Sequence, residues 1–166
     1  NLLPYIVIFI FGITIGSFLN VCIYRIPLHE SIVTVPSHCM TCGKKLKWYD
    51  MVPVFSWLVL GGKCRNCGSS ISAQYPSIEA VNGLIYVLIC AVNGLNSFSL
   101  IYCLMASALL VLSVIDWRTY EIPFGINVFL FVLGVAMAVL DRGNLVEHLI
   151  GMVCVSGVLE LSLIHI

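Results

Sequence analysis

Two Cys-x-x-Cys pairs, Cys39 with Cys42 and Cys64 with Cys67, are the side chains of this sequence best spaced for chemistry. Such a turn presents two sulfurs from one tight knuckle, a following glycine lets the backbone fold back, and two knuckles complete the tetrahedral shell of a structural Zn2+ ion. Gly43 and Gly68 follow the two pairs, and the stretch from Cys39 to Leu46 is echoed 25 residues later from Cys64 to Ile71. Two copies are too few for a solenoid and suit paired metal knuckles. The other readings of four thiols are two disulfides or a redox dithiol. His38 adjoins the first knuckle, but four thiolates already fill a zinc shell, so it is read as a solvated loop residue. Cys22, Cys90, Cys103 and Cys154 sit in apolar stretches, where thiols behave as small hydrophobes.

Ionisable side chains in or beside apolar segments are functional candidates by default, which singles out Asp116, Glu79, Glu121 and Glu160. Asp116 ends the apolar run 109–115, where a partly dry carboxyl group could still receive water. It reads equally as an ordinary helix-end aspartate. Aspartic peptidase chemistry needs two carboxyl groups sharing one proton, so that one takes a proton from the attacking water and the other donates to the substrate carbonyl. Glu160 falls at a similar depth but makes a poor partner for Asp116. Glu79 and Glu121 are read as interfacial residues, or as helix-end partners of Arg118 and the loop lysines.

The elements that hold these groups are apolar. The 166 residues are 60% hydrophobic and 10% charged, against roughly 25% charged in soluble domains, so the expected solvent is a bilayer. Apolar segments run over residues 2–24, 78–92, 98–115, 122–140 and 145–166. Most approach the ~20 residues a spanning helix needs. Net charge is zero, which removes the basic footprint expected of a nucleic-acid binder. Six of the eight basic residues fall between Arg25 and Tyr75, so that loop is assigned to the cytoplasm. Structural disulfides are rare in that reducing compartment, which favours zinc. The loop has few aliphatic residues, so the metal is expected to supply much of its folding free energy.

The expected fold is an all-α polytopic membrane protein of about five spans. Residues 1–24 form the first span, 25–77 a cytoplasmic four-cysteine zinc-binding domain inserted between spans one and two, and 78–166 the remaining spans. The first segment lacks a basic n-region and is too long for an h-region, so it is not read as a removable signal peptide. The sequence opens without methionine and stops inside an apolar segment, and both ends are expected to be cut.

The run Gly16-Ser17-Phe18-Leu19-Asn20-Val21-Cys22-Ile23-Tyr24-Arg25-Ile26-Pro27 resembles the opening signature of bacterial type IV prepilin peptidases. The knuckles enclose Trp48-Tyr49-Asp50-Met51-Val52-Pro53-Val54-Phe55-Ser56-Trp57-Leu58, then Gln74-Tyr75-Pro76-Ser77-Ile78-Glu79 follows, in that family's order. Ile115-Asp116-Trp117-Arg118-Thr119-Tyr120-Glu121-Ile122-Pro123 is similar to its first catalytic motif. The resemblance covers residues from about 10 to about 155, the scale of a whole domain.

It implies an intramembrane aspartic peptidase of the bacterial inner membrane that removes the basic leader from prepilins and pseudopilins at the cytoplasmic face. Asp116 would be its first catalytic aspartate. The second would lie in a Gly-x-Gly-Asp motif that this sequence does not contain, so the chain as given is expected not to cleave. Many members also N-methylate the new amino terminus with S-adenosylmethionine, an activity associated with the cysteine-bearing domain. Phe124 departs from the acidic or amide residue common after Ile-Pro, and the tail from Glu160 onward matches nothing expected.

Two further readings come from other classes: a non-catalytic zinc-bearing membrane adaptor of a pilus or secretion assembly, and a membrane thiol oxidoreductase, which the cytoplasmic assignment disfavours. Trp48, Tyr49 and Trp57 with the basic cluster could rest on the anionic leaflet or cradle a leader. A basic leader would need acid, for which Glu30, Asp50, Glu79 and Glu121 are the candidates.

Overall fold

The computed structural model describes residues 2–144 together with 146, 147 and 150. Helix α1 spans Leu3–Arg25, and a long loop carries a 3-10 turn at Trp48–Met51 and the short helix α2 at Phe55–Val59. Helices α3 (Gln74–Asn93), α4 (Ser97–Thr119) and α5 (Phe124–Leu140) follow. Among the described residues the only β pairing is two isolated bridges in the loop. The fifth apolar segment, with Glu160, Cys154, His148 and His165, lies outside the described residues, apart from 146, 147 and 150 of that segment.

Helices α1, α3 and α4 are long and apolar enough to cross a membrane. α5 has 17 residues, about 26 Å at 1.5 Å per residue, slightly under the ~30 Å hydrocarbon core. Proline and glycine explain the boundaries. Pro76 occupies the first turn of α3, where its missing N–H costs no helical bond, and Gly94 at φ 78° ends it. Asn96 caps α4 by accepting from the Ser99 amide at 2.8 Å. The second span therefore starts four residues earlier than its apolar run, and α4 continues through Asp116 to Thr119 before Tyr120 turns left-handed at φ 55°.

α1 and α3 cross closely because both are notched by glycine. A Cβ on Gly12 would stand 2.7 Å from the Gly83 Cα, and one on Gly16 would stand 2.7 Å from the Glu79 Cα. Lipid offers no hydrophobic drive for helices to associate, so such backbone contact and buried hydrogen bonds hold the bundle. Asn82, fully buried, donates to the Gly12 carbonyl at 2.8 Å and accepts from Ser107 Oγ at 2.9 Å. Ser107 in turn shares a 2.9 Å hydrogen bond with Tyr86. Leu19, Ile23, Ile78, Val111, Ile115 and Ile126 pack below this network. The outer faces expose Leu84, Leu88, Phe131 and Val132, the inverse of a soluble bundle.

Candidate metal centre and membrane carboxylates

The internal repeat of the sequence folds as a structural repeat. In each copy the cysteine carbonyl accepts from the glycine four residues on, Cys39 from Gly43 at 2.8 Å and Cys64 from Gly68 at 2.9 Å. In each copy the cysteine amide also donates across the turn, to Lys44 O at 3.0 Å or Ser69 O at 2.8 Å. Gly43 and Gly68 sit at φ 68° and 70°, backbone that a Cβ would strain. The bridges His38 to Lys45 and Lys63 to Ser70 close the two hairpins. Lys44 Nζ donates to Asn66 Oδ1 at 2.8 Å, tying one knuckle to the other.

This brings the four sulfurs of Cys39, Cys42, Cys64 and Cys67 within 4.8 Å of one another. The Cys39 and Cys67 sulfurs are 3.8 Å apart, the edge of a tetrahedron with metal–sulfur bonds of about 2.3 Å. The donor set therefore fits zinc. Backbone amides of Cys42 and then Thr41 aim at the Cys39 sulfur and hold its thiol at about 6, against an ordinary 9.0. Ser69, through hydroxyl and amide, lowers Cys67 as well. Both shifts favour the thiolate that binds metal, while Cys64, which shares protons with Cys39 and Cys67, is raised in turn. His38 stays outside the cluster, exposed, with Nδ1 3.1 Å from the Pro36 carbonyl.

The loop is tied down at three points, two of them to the bundle and one within the loop. Arg25, buried at the end of α1, donates to the carbonyls of Ser31 at 3.1 Å and Val35 at 2.7 Å. Trp57 of α2 donates to the Ile71 carbonyl at 3.1 Å. The third corrects an expectation from sequence. Glu79 is not paired with Arg118 or a loop lysine: it is buried, and its Oε2 accepts from the Val54 amide at 2.6 Å, with Ser17 alongside.

Asp116 lies in the last turn of α4, its carbonyl accepting from the Tyr120 amide at 2.8 Å, with its side chain exposed. Its end of the bundle is the end that carries the knuckles. Two residues on, the Arg118 guanidinium lies 4.4 Å over the Tyr24 ring, and Tyr24 stacks on Tyr75 at 5.3 Å, which clamps the ends of α4, α1 and α3 together. Arg118 thus goes to an aromatic face rather than to Glu79 or Glu121. Glu121 and Glu30 are exposed, and Asp50 is held by Arg65 at 2.8 Å. Cys22, Cys90 and Cys103 are buried in the bundle, as their apolar surroundings suggested.

Sequence reasoning missed Asn82, Ser107 and Tyr86, whose polar atoms meet only across helices. Their signal was present, since an uncompensated Asn inside an apolar segment must find a partner.

Fold and site together define a helical membrane protein with a four-thiol metal knuckle between its first two long helices. Residues 10–93 match the family described as the bacterial peptidase A24 N-terminal domain, and residues 103–165 match the type IV leader peptidase family. The chain belongs to the type IV prepilin peptidase family. It is 39% identical over 132 residues to the prepilin leader peptidase/N-methyltransferase of Myxococcus xanthus strain DK1622, covering 79% of this chain and 39% of that protein. It is 33% identical over 123 residues to the protein of the same name from Bacillus subtilis strain 168, covering 74% and 50%. The match to the Klebsiella pneumoniae protein of that name is 32% over 126 residues, covering 72% and 55%. The chain thus spans about half the length, or less, of these relatives. No solved structure matches it.

Proposed function

We propose that this chain is the amino-terminal, zinc-bearing portion of an inner-membrane aspartic endopeptidase that removes the leader from prepilins or pseudopilins. In this reading the apolar segments cross the membrane five times, and residues 25–77 form a cytoplasmic domain held by Zn2+ on Cys39, Cys42, Cys64 and Cys67. Asp116 is the first catalytic aspartate. The observation that carries the reading is the position of Asp116, exposed in the final turn of α4 at the same end of the bundle as the four thiols. A carboxylate at that level meets both water and a substrate segment leaving the bilayer. As one of a pair sharing a proton, it takes a proton from water while its partner carboxyl donates to the scissile carbonyl. The partner is expected from a Gly-x-Gly-Asp motif of the full-length protein.

Zinc in this scheme is structural. Two knuckles and their Lys44–Asn66 tie give it the role of ordering a loop whose α2 residues Phe55, Leu58 and Val59 are exposed rather than packed in a core. The family's printed names couple leader cleavage to N-methylation, and S-adenosylmethionine is the methyl donor proposed for the whole protein. The test is cleavage of a prepilin precursor by the full-length protein in detergent, with Asp116→Asn beside it. Loss of cleavage in a variant that still folds and retains zinc is the expected result. Intact cleavage removes Asp116 from the mechanism and leaves a zinc-bearing adaptor as the better account.

A further inference from the structure

Helix α2 is built inside out. Phe55, Leu58 and Val59 fall at i, i+3 and i+4 and so share one face, yet they are 60%, 60% and 81% exposed. Trp57, on another side, is the residue that anchors the helix inward through Ile71 and packs on Gly62. Met51 and Val52, just before it in the chain, are also exposed, and Trp48 in the preceding turn is 77% exposed. So many exposed apolar side chains within twelve residues call for a covering partner.

Two observations say what covers it. The first is depth. Glu79 is the sixth residue of α3, about 7–8 Å along the axis of a membrane-capable helix. Its bond to the Val54 amide therefore pins the start of α2 beside the opening turns of that helix, the level at which a bilayer has its headgroups. The second is charge. Between residues 26 and 73 there are five basic side chains and two acidic ones, and one of the acids, Asp50, is already paired with Arg65. Lys44, Lys45, Lys47 and Arg65 line one cleft of the same domain. A basic peptide would be repelled there, whereas anionic phosphate headgroups would be drawn in.

We infer that the exposed face formed by Trp48, Phe55, Leu58 and Val59, together with the basic residues of the same domain, docks the cysteine domain onto an anionic lipid leaflet. Trp48 sits at the interface, where its amphipathic ring is favoured, and the aliphatic face of α2 enters the acyl boundary. The lysines contact lipid phosphates. The inference is independent of the peptidase reading: it concerns how the domain is held, whatever chemistry the protein performs.

The experiment uses the full-length protein in nanodiscs of phosphatidylglycerol or of phosphatidylcholine, each doped with a lipid bearing a photoactivated carbene precursor near its headgroup. Adducts are mapped by mass spectrometry. The expected result is labelling of Trp48, Phe55, Leu58 and Val59 in phosphatidylglycerol, several-fold weaker in phosphatidylcholine, and lost at the neighbouring positions when Phe55 and Leu58 are changed to Ser. Both are exposed, so the fold does not depend on them. Labels confined to α1, α3, α4 and α5 would overturn the inference. So would equal labelling in the two lipids, labelling of the face by a water-soluble carbene precursor instead, or protection from both reagents, which would mean that a protein segment covers it.

Discussion

The Glu79 carboxylate accepts a 2.6 Å hydrogen bond from the amide of Val54, a residue held at φ 60°, ψ −52°. Phe55 N–H reaches back to the Pro53 carbonyl at 2.6 Å, so Val54 is the centre of a γ-turn of the rare, strained hand. A β-branched residue there costs roughly 1–3 kcal/mol. The buried carboxylate offsets that cost by holding the amide that the turn points inward.

Two substitutions at this contact are expected to move stability in opposite directions. Glu79→Ala leaves the Val54 amide without its acceptor and lowers stability by about 1–3 kcal/mol. Val54→Gly keeps the amide and removes the Cβ strain, raising stability by about 1 kcal/mol. Thermal unfolding in detergent reads both. Equal signs for the two would mean that the turn is not held by Glu79.

Cys42→Ser, or chelation, should release zinc and unfold the loop while the helices persist, because the bundle is held by contacts remote from the metal. Limited proteolysis within residues 26–73, with zinc measured on the same samples, checks this. Helix loss in parallel would show that the bundle depends on the knuckles.

Acidification should do the same without a mutation. The Cys39 thiol is lowered to about 6 by the Cys42 and Thr41 amides. A lowered folded value contributes stability that is complete above the ordinary 9.0 and is lost as pH falls through about 6. Protons also compete with metal for every thiolate. Zinc release, followed with a chromogenic chelator, is therefore expected to begin below neutrality and to rise steeply under about pH 6. Release that increases with pH would contradict it.

Gly16→Val forces a side chain into the Glu79 backbone, where a Cβ already stands 2.7 Å from its Cα. Backbone cannot yield as a flexible side chain would, so α1 and α3 must separate, at a cost of about 1–3 kcal/mol or more. The neighbouring Glu79–Val54 bond should loosen with it. Faster amide exchange in α2 of this variant is the measurement, and unchanged exchange would separate the crossing from the loop.

Asn82→Leu removes one interhelical donor and one acceptor and should cost about 1 kcal/mol. Ser107→Ala on top of it should cost less than it does alone, since the hydroxyl has already lost Asn82 and keeps only its bond to Tyr86. Additive losses in the double variant would mean that the two side chains act separately.

Local order along the chain settled several things about this protein. Cysteines three residues apart, each pair followed by glycine, fold into matching thiol turns, because each turn is closed by its own backbone. Apolar runs declare membrane helices because every backbone polar group in hydrocarbon must bond within its own helix. The helix ends moved by only a few residues, where Pro76 and Gly94 outweighed hydropathy. What depended on distant partners was not legible. Glu79 offered no sign in sequence of its partner, the Val54 amide 25 residues away, which it meets where α3 packs on the glycine-notched face of α1. Asp116 was recognisable as a carboxylate at a helix end on the same side as the cysteine loop, but the Arg118–Tyr24–Tyr75 clamp that joins that end of α4 to α1 and α3 was not. Patterns closed within a few residues are determined by the sequence; a carboxylate's burial and partner are decided by which helices meet, and that is set by packing across the whole bundle.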